Sequence, residues 1–392
     1  MHLTRFELSD FRSWTRLDLA LQPGLTLISG PNAAGKSNLI EAIYLLAALR
    51  STRAAVEGEL IRWNAASPQT MRSAGTATTR DGEVEVEIAV IARAGTAGGG
   101  VRVRSGAPLT SKRIRVNGVP RRAADALGAI RAVQFTTLDL ELLTGPSSLR
   151  RRYLDVAIGQ LQPNHAAALS RYQRALQQRN ALLKRVAANQ AQPSELDQWD
   201  ELVATAAAPI WESRAAATVA LASAAAARHI ALRSPDDREE ILEIRYLPAS
   251  VEGGNGDDRH GAMREALASS RSRDLARGAT QVGPHRDDLA IDLNGRPAAA
   301  FGSRAQQRAC ALALRLAEAD FLAAGSGEAA ILLLDDIFSE LDPERRERTA
   351  AALADAEQVI LTTADVDSLP QNLANLSATW TIAGGALVPT TG

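Results

Sequence analysis

The 392-residue chain carries 44 Lys plus Arg against 45 Asp plus Glu, with 46% hydrophobic and 23% charged residues. These values exclude disordered and collagen-like classes and leave room for two or three domains. The lone cysteine, Cys310, excludes a disulfide scaffold and any four-cysteine zinc site. No apolar signal core opens the sequence, and the longest charge-free helical stretch, residues 215–227, is shorter than the ~20 residues of a membrane span. A cytoplasmic protein without a membrane partner is expected.

In chain order, apolar runs predict strands over residues 3–8, 17–21 and 25–29, the last ending in a glycine turn. A helix over 37–48 follows, with Leu39, Ile40, Ile43, Tyr44 and Leu46 at helical spacing. Residues 83–92 alternate acid and apolar side chains as a strand with one wet face does. A glycine-rich tip follows at 96–100, and Asn117-Gly118 marks a hairpin. From residue 149 the sequence turns helical and alanine-rich, with two antiparallel helices predicted over 163–188 and 195–233 and a turn at Gln192-Pro193-Ser194. A loop at 250–258 leads to a strand over 281–293 and a turn at Asn294-Gly295. A helix over 305–323, a strand over 330–334, a helix over 344–354 and a strand over 358–362 complete the pattern. The expected fold is α/β, a head interrupted by a helical lobe, divided as 1–148, 149–260 and 261–392.

The most specific motif is Gly30-Pro31-Asn32-Ala33-Ala34-Gly35-Lys36-Ser37, which matches G-x-x-x-x-G-K-[ST] between a strand and a helix that continues with Asn38. Its glycines allow backbone N–H groups to wrap phosphates at a helix N-terminus. Lys36 would reach the β- and γ-phosphates, and the Ser37 hydroxyl would ligate Mg²⁺. Near residue 330 an apolar strand ends in Asp335-Asp336. The first carboxylate would serve Mg²⁺ and the second the attacking water. About 300 residues separate the two motifs, which requires a bulky insertion. Ser303 and Gln306 fit a helix capping box, a reading compatible with an anion-binding helix start.

Charge is unevenly spread. Residues 101–190 hold 16 Lys or Arg against four acids, leaving about −13 for the remainder of a chain whose net charge is −1. Such a block points to a polyanion-binding surface. Arg150, Arg151, Arg152, Arg171, Arg174, Arg179, Lys184 and Arg185 are the candidates for DNA contact. Solvated helix faces are the competing reading of the same charges.

Together these motifs resemble the RecF family, SMC-like members of the ABC ATPase superfamily. The resemblance is carried by Leu8-Ser-Asp-Phe-Arg12-Ser, the phosphate loop, Arg151-Arg-Tyr-Leu-Asp155, residues 172–184, Gly283-Pro-His-Arg-Asp-Asp-Leu289 and Leu333-Leu-Asp-Asp-Ile-Phe-Ser-Glu-Leu-Asp342. It implies ATP and Mg²⁺ as cofactors, and an ATP-bound homodimer that clamps single-stranded or gapped DNA. It further implies recombinase loading, SOS induction, and RecO and RecR as partners. Hydrolysis would be weak, DNA-dependent and used as a release switch. By residue, it implies that Ser303 to Gln306 form the signature loop, Ser339 to Asp342 the D-loop and Thr362-Thr363 the switch segment, with Arg12 approaching nucleotide. The signature departs from the family's Ser-Gln-Gly-Gln at Arg304 and Ala305, and Phe135-Thr-Thr-Leu-Asp139 lacks the family's proline. Gln134 is the candidate Q-loop glutamine and metal ligand. His285 is equally open to a structural or a functional role. A transporter ATPase subunit is the alternative of a different class, disfavoured by the long insertion and the basic block. An SMC-like chromosome organiser would need far longer coiled coils.

Overall fold

The computed structural model describes residues 1–65, 69–92, 110–233, 240–249, 258–370, 373 and 377–390. The glycine tip expected at 96–100 and most of the loop expected at 250–258 lie outside them. The chain divides into two units: residues 1–139, 228–238 and 312–392 form the first, and 140–227 with 239–311 the second.

The first unit opens with β1 (His2–Phe11), β2 (Trp14–Ala20), β3 (Gly24–Ser29) and helix α1 (Lys36–Ala48). β4 (Thr70–Thr79), β5 (Gly82–Ala92), β6 (Thr110–Val116), β7 (Val119–Pro120), α2 (Ala123–Ala126) and β8 (Ala132–Thr136) follow. The second unit contributes α3 (Glu141–Thr144), α4 (Ser147–Gly159), α5 (Pro163–Ala187) and all but the last residues of α6 (Leu196–Leu232), then β9 (Leu242–Leu247) and α7 (Arg259–Arg277). It continues with β10 (Asp288–Leu293), β11 (Arg296–Pro297), α8 (Ala298–Phe301) and the start of α9 (Arg304–Ser326). The chain closes in the first unit with β12 (Ile331–Asp335), α10 (Pro343–Leu353), β13 (Gln358–Thr363), β14 (Ser377–Ala383) and β15 (Ala386–Pro389).

Two six-stranded sheets build the first unit. One is antiparallel in the order β2-β1-β4-β5-β6-β7; the other runs β15-β14-β3-β13-β12-β8, parallel except for the β14–β15 pair. Helix α1 packs against strands of both sheets, so eleven of its residues are buried and it has no polar face of the usual width. At β4 the approach is so close that a side chain on Gly75 would stand 2.5 Å from Leu46 Cδ1. The hairpin expected at Asn117-Gly118 joins β6 to β7, both residues taking positive φ.

In the second unit α5, α6 and α7 share a core of Tyr172, Val203, Ala207, Ile210, Trp211, Met263 and Leu267. Its small sheet runs β11-β10-β9, fully antiparallel. Residues 261–311 belong to this unit, whereas the sequence places the return to the head at 261. The reason is that β10 pairs with β9 and α7 packs on α5, pairings that strand periodicity alone does not reveal. By length and composition α6 is apolar enough to cross a membrane. Its middle nevertheless holds Trp211 in the core and Arg214 paired with Asp155, interactions that a lipid-facing span would forfeit.

Candidate functional site

Strand β3 is buried between β13 and β14 and delivers its last residue, Ser29, to the C-terminal edge of the parallel sheet. The phosphate loop turns there, with Ala33 at φ 64° and Gly35 at φ 106°. Such left-handed backbone is natural for Gly35 and admits a small residue at Ala33. The Lys36 ammonium folds back onto the loop, donating to the carbonyl oxygens of Gly30 at 2.7 Å and Pro31 at 3.0 Å. Gly30, Pro31, Asn32, Ala33, Ala34, Gly35, Lys36 and Ser37 thus form one continuous cradle at the start of α1. Asn38, next in the helix, donates to Ser13 Oγ at 2.9 Å and accepts from Arg53 at 3.3 Å.

One strand, β13, separates β3 from β12. At the same edge Asp335 pairs in register with Thr136 on one side and Thr362 on the other, and its Oδ1 accepts from the Thr362 hydroxyl at 2.9 Å. Asp336 turns out of the strand at φ 55°, its N–H bonded to the Thr362 carbonyl at 3.0 Å. Its Oδ1 is buried without a hydrogen-bond partner among the described residues. An orphaned carboxylate oxygen is costly unless something fills it. Ligands of open parallel sheets bind outside the carboxyl ends of the strands, and this edge brings together the cradle, Asp335, Asp336 and Thr362-Thr363. Gln134 lies on β8 opposite Leu333, 3% exposed, with Oε1 3.4 Å from the Thr52 hydroxyl. It therefore sits two residues behind the Thr136–Asp335 pair, toward the strand interior.

Arg12 is committed elsewhere. Its guanidinium pairs with Glu41 of α1, a carboxylate that is 1% exposed and also accepts from the Ser51 hydroxyl. Asp342 caps α10, accepting from the Arg345 N–H at 2.9 Å and pairing with its side chain.

In the second unit the capping box read from sequence is present. The Ser303 N–H donates to Gln306 Oε1 at 2.7 Å, and the Gln306 N–H to Ser303 Oγ at 3.2 Å. The Gln306 amide also donates to Glu240 at 2.6 Å. Gln307, which the sequence reading did not single out, supports the same turn. Its side-chain N–H₂ is shared among the carbonyls of Ala298, Ala299 and Gly302 at 3.0–3.2 Å, which fixes the turn presenting Ser303. A glutamine directly after Gln306 was the available signal.

The basic candidates divide. Arg171, Arg174, Lys184 and Arg185 are exposed along α5, and Arg152 is half-buried on α4. Arg179 is a correction: it is 0% exposed, bound to Asp200 at 2.6 Å, Asp274 at 2.7 Å and Thr280 at 2.7 Å, and cannot meet a DNA phosphate from there. Arg150 and Arg151 are half-buried and already engaged within the unit. Arg150 grips Asp288 through two bonds of 2.7 and 2.9 Å and collects three carbonyls of the preceding turn. Arg151 donates to Ser147 and to the Asp287 carbonyl.

Those bonds assign the Gly283–Asp288 string a structural task. A side chain on Gly283, at φ 117°, would strike the Tyr172 hydroxyl at 2.5 Å. His285 sits between the Tyr172 hydroxyl at 2.6 Å and the Thr280 carbonyl at 3.1 Å, and burial lowers its pKa to about 4, so the ring is neutral. With Nε2–H donating to Thr280, Nδ1 accepts from Tyr172. Asp287, whose pKa burial raises, accepts from the Trp211 indole at 2.8 Å, the Ala249 N–H at 2.9 Å and the Tyr246 hydroxyl. The string ties α4, α5, α6 and β9 together.

The RecF/RecN/SMC N terminal domain family matches residues 2–380. The DNA replication and repair protein RecF of Chloroflexus aurantiacus is 41% identical over 377 residues, 93% of each chain. That of Herpetosiphon aurantiacus is 39% identical over 397 residues, covering 99% of this chain and all of that one. The solved structure of the recombination mediator protein RecF-ATP in the RecFOR pathway superposes with a TM-score of 0.85 at 28% identity, covering 100% of this chain and 98% of that one. An SMC head bound to the C-winged helix domain of ScpA, at 16% identity and TM-score 0.52, shares the fold. The chain belongs to the RecF family of DNA replication and repair proteins, built on the SMC-type ATPase head.

Proposed function

We propose that the chain binds ATP and closes as a homodimer on single-stranded or gapped DNA, promoting recombinase loading and SOS induction together with RecR and RecO. Hydrolysis acts as the release switch. The observation that carries this reading is the shared sheet edge, at which the loop after β3, Asp335 and an Asp336 oxygen without a partner among the described residues all lie. The donors there are all oxygen, Ser37 and Asp335 with Gln134 behind them. Among the described residues no cluster of three metal-binding side chains is preassembled. That set fits Mg²⁺, which binds through one or two protein oxygens and substrate phosphates. When bound, the ion neutralises charge developing on the phosphates.

Asp336 orients the attacking water in this reading. It is one methylene shorter than a glutamate, a reach deficit of roughly 1.5 Å, and a misplacement of about 1 Å can cost ~100-fold in rate. Ala305, in place of the family's glycine, holds the Ser303 turn farther from a partner's nucleotide. Turnover well below the usual ~1–10³ s⁻¹ is therefore expected. The exposed arginines and lysine of α5 supply the DNA contact. The test is light scattering of Asp336→Asn with ATP and DNA. A trapped dimer supports the clamp, and a monomer that holds ATP, or fast DNA-stimulated turnover in the parent chain, refutes it.

A further inference from the structure

We propose that Trp14 is a positioning residue of the phosphate loop, aiming a backbone N–H into the cradle through a hydrogen bond on the opposite side of the same peptide. The inference rests on reading the loop as a nucleotide site. The Trp14 indole N–H donates to the Gly35 carbonyl at 3.1 Å, and the same oxygen accepts the first helical bond, from Leu39 N–H at 3.0 Å. In a trans peptide the C=O and the following N–H point in opposite directions. Two donors holding the Gly35 oxygen on the helix side therefore fix the Lys36 N–H toward the loop. N–H groups at a helix start, aimed this way, are what binds phosphate.

The bracket that carries Trp14 is fixed by interactions other than the indole bond. β1 and β2 meet in a two-residue turn closed by the Phe11–Trp14 pair, with Arg12 at φ 46°. The Arg12 N–H is bonded to the Leu60 carbonyl at 2.9 Å, and its side chain is locked to Glu41 of α1. Ser13 Oγ accepts from Asn38 at 2.9 Å. The approach is close enough that a side chain on Gly35 would lie 2.9 Å from Ser13 Oγ and 3.1 Å from the Trp14 indole nitrogen. The loop's second glycine thus leaves room for a tryptophan as well as for a phosphate.

The test replaces the donor and keeps the ring. Trp14→Phe in the full chain should bind ATP and ADP three- to tenfold more weakly, by the same factor for both, because one neutral hydrogen bond orienting a shared cradle is removed. A second readout separates positioning from packing. In the 5-fluorotryptophan-labelled parent chain, the ¹⁹F resonance missing from Trp14→Phe should shift on saturation with either nucleotide. Trp14→Tyr serves for the assignment should Trp14→Phe not fold. Unchanged affinity in a folded Trp14→Phe, or a Trp14 resonance unmoved by nucleotide that does bind, overturns the proposal. A parent chain that binds neither nucleotide overturns the reading of the loop itself, and this inference with it.

Discussion

The sheet edge around Asp335 and the arginine–carboxylate knot of the helical unit use polar groups in opposite ways. At the edge, Asp336 keeps a buried oxygen without a partner among the described residues, and Lys36 is satisfied by two loop carbonyls. In the knot, Arg179 is shared among Asp200, Asp274 and Thr280 through Nε and Nη1, with its Nη2 alone lacking a partner among the described residues, and Arg214 among Asp155, the Pro284 carbonyl and Asp287. A group left short of partners raises the free energy of the fold and is available to a ligand. A group shared among several holds helices in place and is unavailable. Substitutions at the edge should therefore change binding at little cost to stability, and substitutions in the knot should do the reverse.

The largest effect is expected at Arg179. Among the described residues, Arg179→Ala takes the buried cation from Asp274, which keeps only the Ser270 hydroxyl and the Gln281 N–H, and leaves Asp200 to Arg271 alone. Breaking a buried pair in this way costs about 3–5 kcal/mol, read by denaturant unfolding with ATP affinity little changed in what remains folded. An equally stable variant would show that the knot holds nothing. Lys36→Ala should do the opposite, weakening ATP roughly 100-fold or more by equilibrium dialysis with an unfolding midpoint close to that of the parent. Next comes the surface of α5. Changing Arg171, Arg174, Lys184 and Arg185 together to Gln should reduce duplex affinity about tenfold at 0.1 M salt. The log–log salt slope should become shallower by about 0.9 for each DNA phosphate that the variant no longer neutralises. A slope that stays the same removes α5 from the DNA surface.

The smallest effect concerns His285 and pH. Burial holds its folded pKa at about 4, below the ordinary value of 6.5, so the unfolded chain takes up a proton first as pH falls. The stability from the neutral ring is complete above about pH 6.5 and declines as pH drops toward 4. Between pH 7.5 and 5.5 the parent chain should lose about 1 kcal/mol more than His285→Asn, other titrations being common to both. Parallel pH profiles would show that the ring is not held neutral.

The phosphate edge was legible in the sequence because it is written in consecutive residues. A strand, a loop with glycines at fixed offsets and a helix start need no distant partner to be recognised, and the apolar run before Asp335 is of the same kind. The knot was not legible, since Arg179 finds its carboxylates 21 and 95 residues away. A tally of charges along the chain cannot tell such an arginine from Arg171, which lies on the exposed face of the same helix. Strand β4 was missed for a different reason. Where α1 approaches, that strand carries Gly75, which leaves room for Leu46, and Ser73, whose hydroxyl donates to the Ala42 carbonyl, and these residues erase the branched, alternating pattern that normally announces a strand. Trp14, which precedes the strand predicted over 17–21, carried no signal of its own, because the object of its hydrogen bond is a backbone carbonyl.

Asp336 stands in left-handed backbone, φ 55° and ψ 30°. Asn and Asp enter that region more readily than other side-chain-bearing residues, for which it costs about 1–2 kcal/mol. The route by which this chain could acquire faster hydrolysis, lengthening Asp336 to glutamate, therefore strains the turn that delivers the carboxylate. Substitution to asparagine meets no such obstacle. On the clamp reading, how long DNA is held is timed by the backbone at one residue, and single mutations can slow that clock far more easily than they can speed it.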